Sequence, residues 1–233
     1  MKDGSVLSAR AIVIATGVRY KRPAVVGLGR FEGRGIHYGA TYIEAQLCLD
    51  EAVVAIGGGN SAGQAAVFLS QTARKVYMLV RSADLSETMS RYLIQRISGN
   101  PSIELLCDTE LAGLAGGDSL EKVSWTNKRT QQVSSMSICH VFIMTGASPN
   151  TEWLRGCVAL DNNGFILTGR DLPLSPPRET SSAWPLRRPP QLFESSLPGV
   201  FAVGDVRAGS IKRVAVGEGA ISVSFVHRAL TEV

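Results

Sequence analysis

Cysteine is scarce in this sequence and poorly spaced for chemistry. The four residues Cys48, Cys107, Cys139 and Cys157 contain no CxxC pair and have no zinc-ligand spacing with His37, His140 and His227. That pattern speaks against a zinc site or a local redox dithiol, and no metal is expected. No apolar run is long enough to cross a bilayer, and no apolar stretch follows Met1-Lys2-Asp3-Gly4-Ser5 as a secretory leader would require. A soluble, cytoplasmic chain with reduced thiols is the expectation. Excess charge is small as well: 24 Lys and Arg against 20 Asp and Glu leave +4, scattered apart from Arg187-Arg188. So weak a basic balance leaves no electrostatic footprint for nucleic acid, although it suits an anionic cofactor. What is present is apolar material, 45% of 233 residues, enough for one large core or two modest ones.

That material is arranged as buried strands alternating with helices, an α/β pattern with parallel sheets. The run Ala11-Ile12-Val13-Ile14-Ala15 reads as a strand covered on both faces. Residues 18–34 read as a connecting loop and 41–49 as a short helix. Strand 52–56, the turn Gly57-Gly58-Gly59, helix 60–72 and strand 75–80 make a β-α-β unit. Residues 84–98 have amphipathic helical spacing, stopped by Gly99-Asn100-Pro101, and 103–107 is a further strand. Gly116-Gly117-Asp118 and Asn127-Lys128 mark antiparallel hairpins within 109–142. Strands at 141–144 and 200–203 lead into Thr145-Gly146 and Gly204-Asp205. Between them, 171–198 forms a Pro-rich surface excursion, and a closing helix spans 219–230.

The segment Gly57-Gly58-Gly59-Asn60-Ser61-Ala62 fits G-x-G-x-x-G/A. Gly57 allows the tight turn, Gly59 lets a pyrophosphate approach the backbone, and small Ala62 lets helix pack on strand. The free N–H groups at the helix start then face the phosphates. An ordinary glycine bend would serve as well in a ligand-free domain, but a strand before and a helix after favour a dinucleotide site. The next strand ends in Arg81-Ser82 rather than in a carboxylate. Arg81 can pair with a 2′-phosphate and Ser82 can donate to it, which favours NADPH over NADH despite Asp84 just beyond. Otherwise Arg81 is a solvated strand-end charge.

Four motifs in order carry a resemblance: Ala15-Thr16-Gly17, the Gly57–Ala62 turn, Thr145-Gly146-Ala147-Ser148-Pro149-Asn150-Thr151, and Gly199-Val200-Phe201-Ala202-Val203-Gly204-Asp205-Val206. Together they resemble the low-molecular-weight thioredoxin reductases. The resemblance implies a Rossmann-like NAD(P)-binding domain, residues 33–147, inserted into an incomplete FAD-binding Rossmann-like domain, residues 1–32 and 148–233. It implies that Thr145 and Gly146 border the NADPH side. It places Thr16, Gly17, Gly204, Asp205, Arg213, Val214 and Ala215 on the FAD side, with Asp205 bonded to a ribityl hydroxyl. The closing helix would stabilise an anionic reduced flavin.

The sequence departs from the family twice. Where the family carries its C-A-T-C dithiol, this chain has Gly39-Ala40-Thr41-Tyr42, with Gly39 and Tyr42 at the cysteine positions. A thiol–disulfide relay needs a nucleophilic thiolate and a resolving partner, and neither residue is one. Nor does the family's first strand, glycine turn and helix for the FAD pyrophosphate precede Met1, so a truncated product with weakened FAD affinity and an exposed apolar edge at 12–15 is expected. The loop 212–218 is also about two residues shorter than the family's. The implied activity is hydride transfer from NADPH to FAD and on to an acceptor that is not a CxxC dithiol. A catalytically silent NADPH-binding fragment and a disulfide reductase using Cys48 or another thiol are the alternatives, although Cys48 reads more readily as a buried small hydrophobe than as a substitute thiol. No residue names the electron acceptor, and the family's habit implies a homodimer.

Overall fold

A computed structural model describes residues 6–173, 184–210 and 215–231, and its chain divides into two compact units. The second unit, Tyr20–Gly146, is a segment inserted into the first, Met1–Arg19 with Ala147–Val233.

The first unit opens with β1 (Ile12–Ile14), and β2 (Val18–Tyr20) follows, its last residue being the first of the second unit. The second contains, in chain order, β3 (Ile36–His37), α1 (Tyr42–Leu47), β4 (Ala52–Ile56), α2 (Asn60–Leu69), β5 (Lys75–Leu79), α3 (Arg91–Ser98) and β6 (Ile103–Leu106). Then follow β7 (Thr109–Ala115), β8 (Lys122–Asn127), β9 (Val133–Met136) and β10 (His140–Ile143). The chain re-enters the first unit through β11 (Ala147–Pro149), β12 (Val200–Ala202) and α4 (Ala215–Thr231).

The second unit is built on a five-stranded parallel sheet of order β3-β10-β4-β5-β6. Its strands are continuous apolar runs because both faces are covered. On one face α2 and α3 bury Ala62, Ala66, Leu69, Leu93 and Ile97 against Val53, Ala55, Val76 and Met78. On the other, the antiparallel meander β7-β8-β9 supplies Leu111, Val123 and Trp125 against Val54, Ile56, Leu79 and Val141. The two faces of one strand, Val53/Ala55 and Val54/Ile56, thus serve different layers, as a period of two requires. Leu28 and Phe31, on a single 3-10 turn, join the meander side of this core. The second unit therefore begins at Tyr20 rather than at residue 33, and the segment 18–34 is not the plain loop its glycines suggest.

In the first unit β1 pairs in parallel with β12. Ile14, Leu154, Val158, Ile166, Ala202 and Val206 form one small core, and Phe193, Phe201, Val203 and Ala229 another. The expectation of a strand covered on both faces fails for β1, where Ile12 is 49% and Val13 46% exposed. Among the described residues only β12 lies beside it. A buried carboxylate braces this unit: Glu194, 0% exposed, accepts from both Nη atoms of Arg188 and from the N–H groups of Gln191 and Gly199. Residues 174–183 of the Pro-rich excursion lie outside the described residues.

Two helices differ from their sequence patterns. The pattern at 84–98 becomes helix only from Arg91, because Asp84 instead caps a local turn, accepting from the N–H and hydroxyl of Ser86. The closing helix starts at Ala215, four residues before Gly219, since two glycines inside a helix are tolerated when tertiary contacts hold its ends.

Candidate functional site

The turn between β4 and α2 is where the chain must bend most sharply. Gly57 has φ 143°, a conformation L side chains avoid, and its N–H donates to Leu79 O at 3.0 Å. A Cβ on Gly57 would lie 2.6 Å from Met144 O and 3.0 Å from the Ala62 Cβ. Space at this bend is therefore set jointly by Gly57, Ala62 and the end of β10. Gly59 is the N-cap of α2 and caps through no side chain, while its carbonyl accepts from Ala62 and Gly63 N–H. Among the described residues no protein group accepts from the N–H groups of Gly58, Gly59, Asn60 or Ser61. Four unsatisfied donors at the positive end of a ten-residue helix make an anion cradle.

The cradle sits at the C-terminal ends of the strands. From β4 the chain steps outward to β5 and β6, then crosses back to place β10 on the other side of β4. That reversal is the topological switch point at which open α/β sheets hold ligands. Met144 N–H donates to Ile56 O, so the end of β10 lies against the glycine turn. Beyond it Thr145 donates its hydroxyl to Lys21 O at 2.6 Å, and Gly146 O accepts from Lys21 N–H at 3.0 Å. These two residues border the switch point and brace the crossing chain.

At the next strand end Arg81 is exposed and makes no ion pair among the described residues. Ser82 donates to Asp84 O at 2.7 Å, so its hydroxyl proton is engaged in the loop rather than free for a ligand. Hydrogen bonds from the Ser86 hydroxyl and N–H hold the Asp84 carboxyl below its usual range. Asp84 is thus engaged locally, which weakens it as a counterweight to Arg81.

In the first unit Thr16 and Gly17 are tied to Asn150. The Thr16 hydroxyl donates to Asn150 O at 3.2 Å, Asn150 Nδ2 to Thr16 O at 2.8 Å, and Asn150 N–H to Gly17 O at 3.0 Å. Gly204 and Asp205 lie on a 3-10 turn after β12. The Asp205 carboxylate is half-buried and bonds to nothing among the described residues, leaving it available to a hydroxyl donor. Glu218, which the sequence reading passed over, anchors this turn. It accepts from Gly204 N–H at 2.7 Å, Arg207 Nη2 at 2.5 Å and the Ser210 hydroxyl at 3.2 Å. Burial alone would raise its pKa, but these donors hold it below the usual carboxylate range. A glutamate immediately before the expected closing helix of 219–230 was the one available signal. Ala215 is the first residue of α4, and Arg213 and Val214 lie outside the described residues. No second strand, glycine turn and helix for a pyrophosphate occurs among the described residues of the first unit.

Gly39 and Tyr42 flank the N-terminus of α1. Thr41 caps this helix in a reciprocal capping box with Glu44, and Tyr42 is 67% exposed. All four cysteines are free thiols. Cys48 is fully buried, donates to Glu44 O at 3.2 Å, and is pushed up to about 11 by burial and by the Glu51 charge. Burial also pushes Cys107 and Cys139 upward. Among the described residues no three His, Cys, Asp or Glu side chains are grouped to hold a metal.

Residues 1–220 match the family described as pyridine nucleotide-disulphide oxidoreductase. The chain is 27% identical to the thioredoxin reductase of Mycoplasmopsis pulmonis over 225 residues, 95% of this chain and 65% of that protein. It is 31% identical to the thioredoxin reductase of Dictyostelium discoideum over 202 residues, 86% of this chain and 56% of that one. Among solved structures, the thioredoxin reductase of Streptococcus pyogenes superposes with a TM-score of 0.78 at 28% identity, covering 96% of this chain and 66% of that one. The chain therefore spans less than two thirds of the length of these relatives.

Proposed function

Since the chain belongs to the pyridine nucleotide-disulphide oxidoreductase family, in its thioredoxin-reductase-like class, we propose that its second unit binds NADPH and serves hydride transfer to FAD, with electrons passing to an acceptor other than a CxxC dithiol. One observation carries the reading: four backbone N–H groups, Gly58 to Ser61, lack protein acceptors at the switch point of a parallel sheet. They would receive the pyrophosphate, with Gly57 and Ala62 holding the backbone close. Arg81 would pair with the adenosine 2′-phosphate, a contact NADH cannot make.

The bound flavin would supply the hydride-accepting chemistry, which needs no side-chain acid or base. The residues of this chain contribute position. Asp205 would accept from a ribityl hydroxyl, and Glu218 fixes the turn that presents it. Thr16 and Gly17, held by Asn150, would line the same side. Fit is good for the nicotinamide cofactor and partial for FAD, because no pyrophosphate cradle accompanies Asp205 among the described residues. A second reading is an NADPH-binding unit that does not turn over.

A disulfide reductase working through Cys48 is the weakest reading, because a buried thiol pushed up to about 11 yields almost no thiolate at neutral pH. The test uses the full chain. NADPH fluorescence should rise on binding, and added FAD should confer flavin absorbance and slow NADPH oxidation. A protein that binds NADPH but stays colourless and inert with FAD belongs to the second reading. One that binds neither nucleotide refutes both.

A further inference from the structure

The glycine pair that makes the cradle also makes it ambiguous. A peptide between two glycines can rotate with little steric penalty, exchanging which side its carbonyl and its N–H face. In a trans peptide these two groups point in opposite directions, and no peptide bond among the described residues is cis. If the Gly58–Gly59 peptide turned over, its carbonyl oxygen would face the anion where the Gly59 N–H should be.

A contact from the loop between β5 and α3 selects one orientation. The Thr88 hydroxyl donates to Gly58 O at 2.8 Å, across 30 residues of chain. Two residues later Ser90 N–H donates to Asn60 Oδ1 at 2.8 Å, fastening the same loop to the start of α2. The loop itself is anchored by Leu85 and Met89, 3% and 5% exposed, with Met89 seated against Gly63. Thr88 is therefore presented by a fixed segment and is not a wandering surface hydroxyl.

Resting on the reading that the cradle holds a pyrophosphate, we propose that Thr88 is a positioning residue that locks the Gly58–Gly59 peptide with its N–H toward the dinucleotide. The lock acts on the pyrophosphate common to NADPH and NADH, whereas Arg81 acts on the 2′-phosphate alone. The hydrogen bond is solvent-exposed, so its worth is at the low end for a neutral pair, and removing it should weaken dinucleotide binding by about two- to threefold.

Calorimetric titration of the full chain and its variants tests this. Thr88→Val keeps the shape and removes the donor. It should weaken NADPH and NADH by the same factor and leave adenosine 2′-monophosphate, which has no pyrophosphate, bound as before. Thr88→Ser restores the hydroxyl and should restore both dinucleotides. Unchanged dinucleotide affinity in Thr88→Val overturns the lock. So does an equal loss for adenosine 2′-monophosphate, which would mean that Thr88 merely supports the loop. If the unaltered chain binds neither dinucleotide, the cradle reading itself fails and the lock falls with it.

Discussion

Arg81 and Cys48 show how far surroundings decide what a side chain can do. Arg81 is exposed and without a carboxylate partner among the described residues, so its charge is available to a ligand. Arg81→Glu replaces a phosphate partner with a like charge and should weaken NADPH by about tenfold or more relative to NADH, the scale of a lost charge-assisted pair. Fluorescence titration with both nucleotides measures it, and equal losses would remove Arg81 from the 2′-phosphate. Cys48 is the opposite case: it lies near the dithiol positions in sequence, but it is buried as a small hydrophobe is, and its raised pKa makes it inert. Brief alkylation of the native protein should label exposed Cys139 and Cys157 and spare Cys48 in a peptide mass map. Labelling of Cys48 at a comparable rate would reopen the thiol route. The basic strand end at Arg81 was legible because charge and position are both in the sequence. So was the burial of Cys48, but not its raised pKa, which depends also on the Glu51 charge that the fold brings near.

At the scale of elements, Gly57 before α2 and Gly63 within it make opposite demands. Gly57→Ala would place a Cβ 2.6 Å from a backbone carbonyl at φ 143°, and neither can yield cheaply. A loss of about 2–4 kcal/mol is expected, from steric conflict and strain together. Gly63→Ala would place its Cβ 2.8 Å from the sulfur and terminal methyl of Met89, a flexible side chain that can swing aside. The helix gains up to about 1 kcal/mol from losing the glycine, so the net change should stay within about 1 kcal/mol. Denaturant unfolding of the two variants gives the comparison, and a Gly63→Ala loss as large as that of Gly57→Ala would show the α2–α3 contact to be rigid. The β4–α2 unit could be read from sequence because a strand run, a glycine turn and a helical period occur consecutively. The start of α3 could not. The helical period continues back through residue 84, but Asp84, Thr88 and Ser90 are used in hydrogen bonds that only the folded loop supplies.

Over the whole molecule, acid should act on the two units in different pH ranges. In the second, His37 Nε2 lies 3.1 Å from His140 Nδ1, an arrangement in which one ring donates and the other accepts. Burial holds both rings below the ordinary value of 6.5; His140 further lowers His37, while Glu44 and Glu51 pull the other way. The unfolded chain therefore takes up these protons first, and stability falls as pH drops from about 6.5 through the lowered folded values. In the first unit Glu194 and Glu218 would be raised by burial but are held below 4.5 by their arginine and backbone donors. Their stabilisation is complete above 4.5 and disappears as pH falls through the depressed values. Unfolding midpoints measured against pH should thus decline in the second unit before the first. His140→Gln should flatten the earlier decline, and a variant with the same slope as the parent would exclude the histidine pair as its source.

What the sequence determined by itself is local: the apolar strand runs, the glycine turn at Gly57–Gly59, the basic strand end at Arg81, and a Gly39–Tyr42 segment that contains no cysteine. Each follows from residues adjacent along the chain, whose sterics and charge do not depend on what packs around them. Tertiary structure decided the rest. It put Tyr20 and the buried Leu28 and Phe31 into the second unit, paired β1 with β12, engaged Ser82 within its loop, and set Glu218 under Gly204 and Thr88 against Gly58. These are contacts between residues far apart in sequence or turned inward by packing. No periodicity records them, because each depends on which distant group the fold brings within hydrogen-bonding reach.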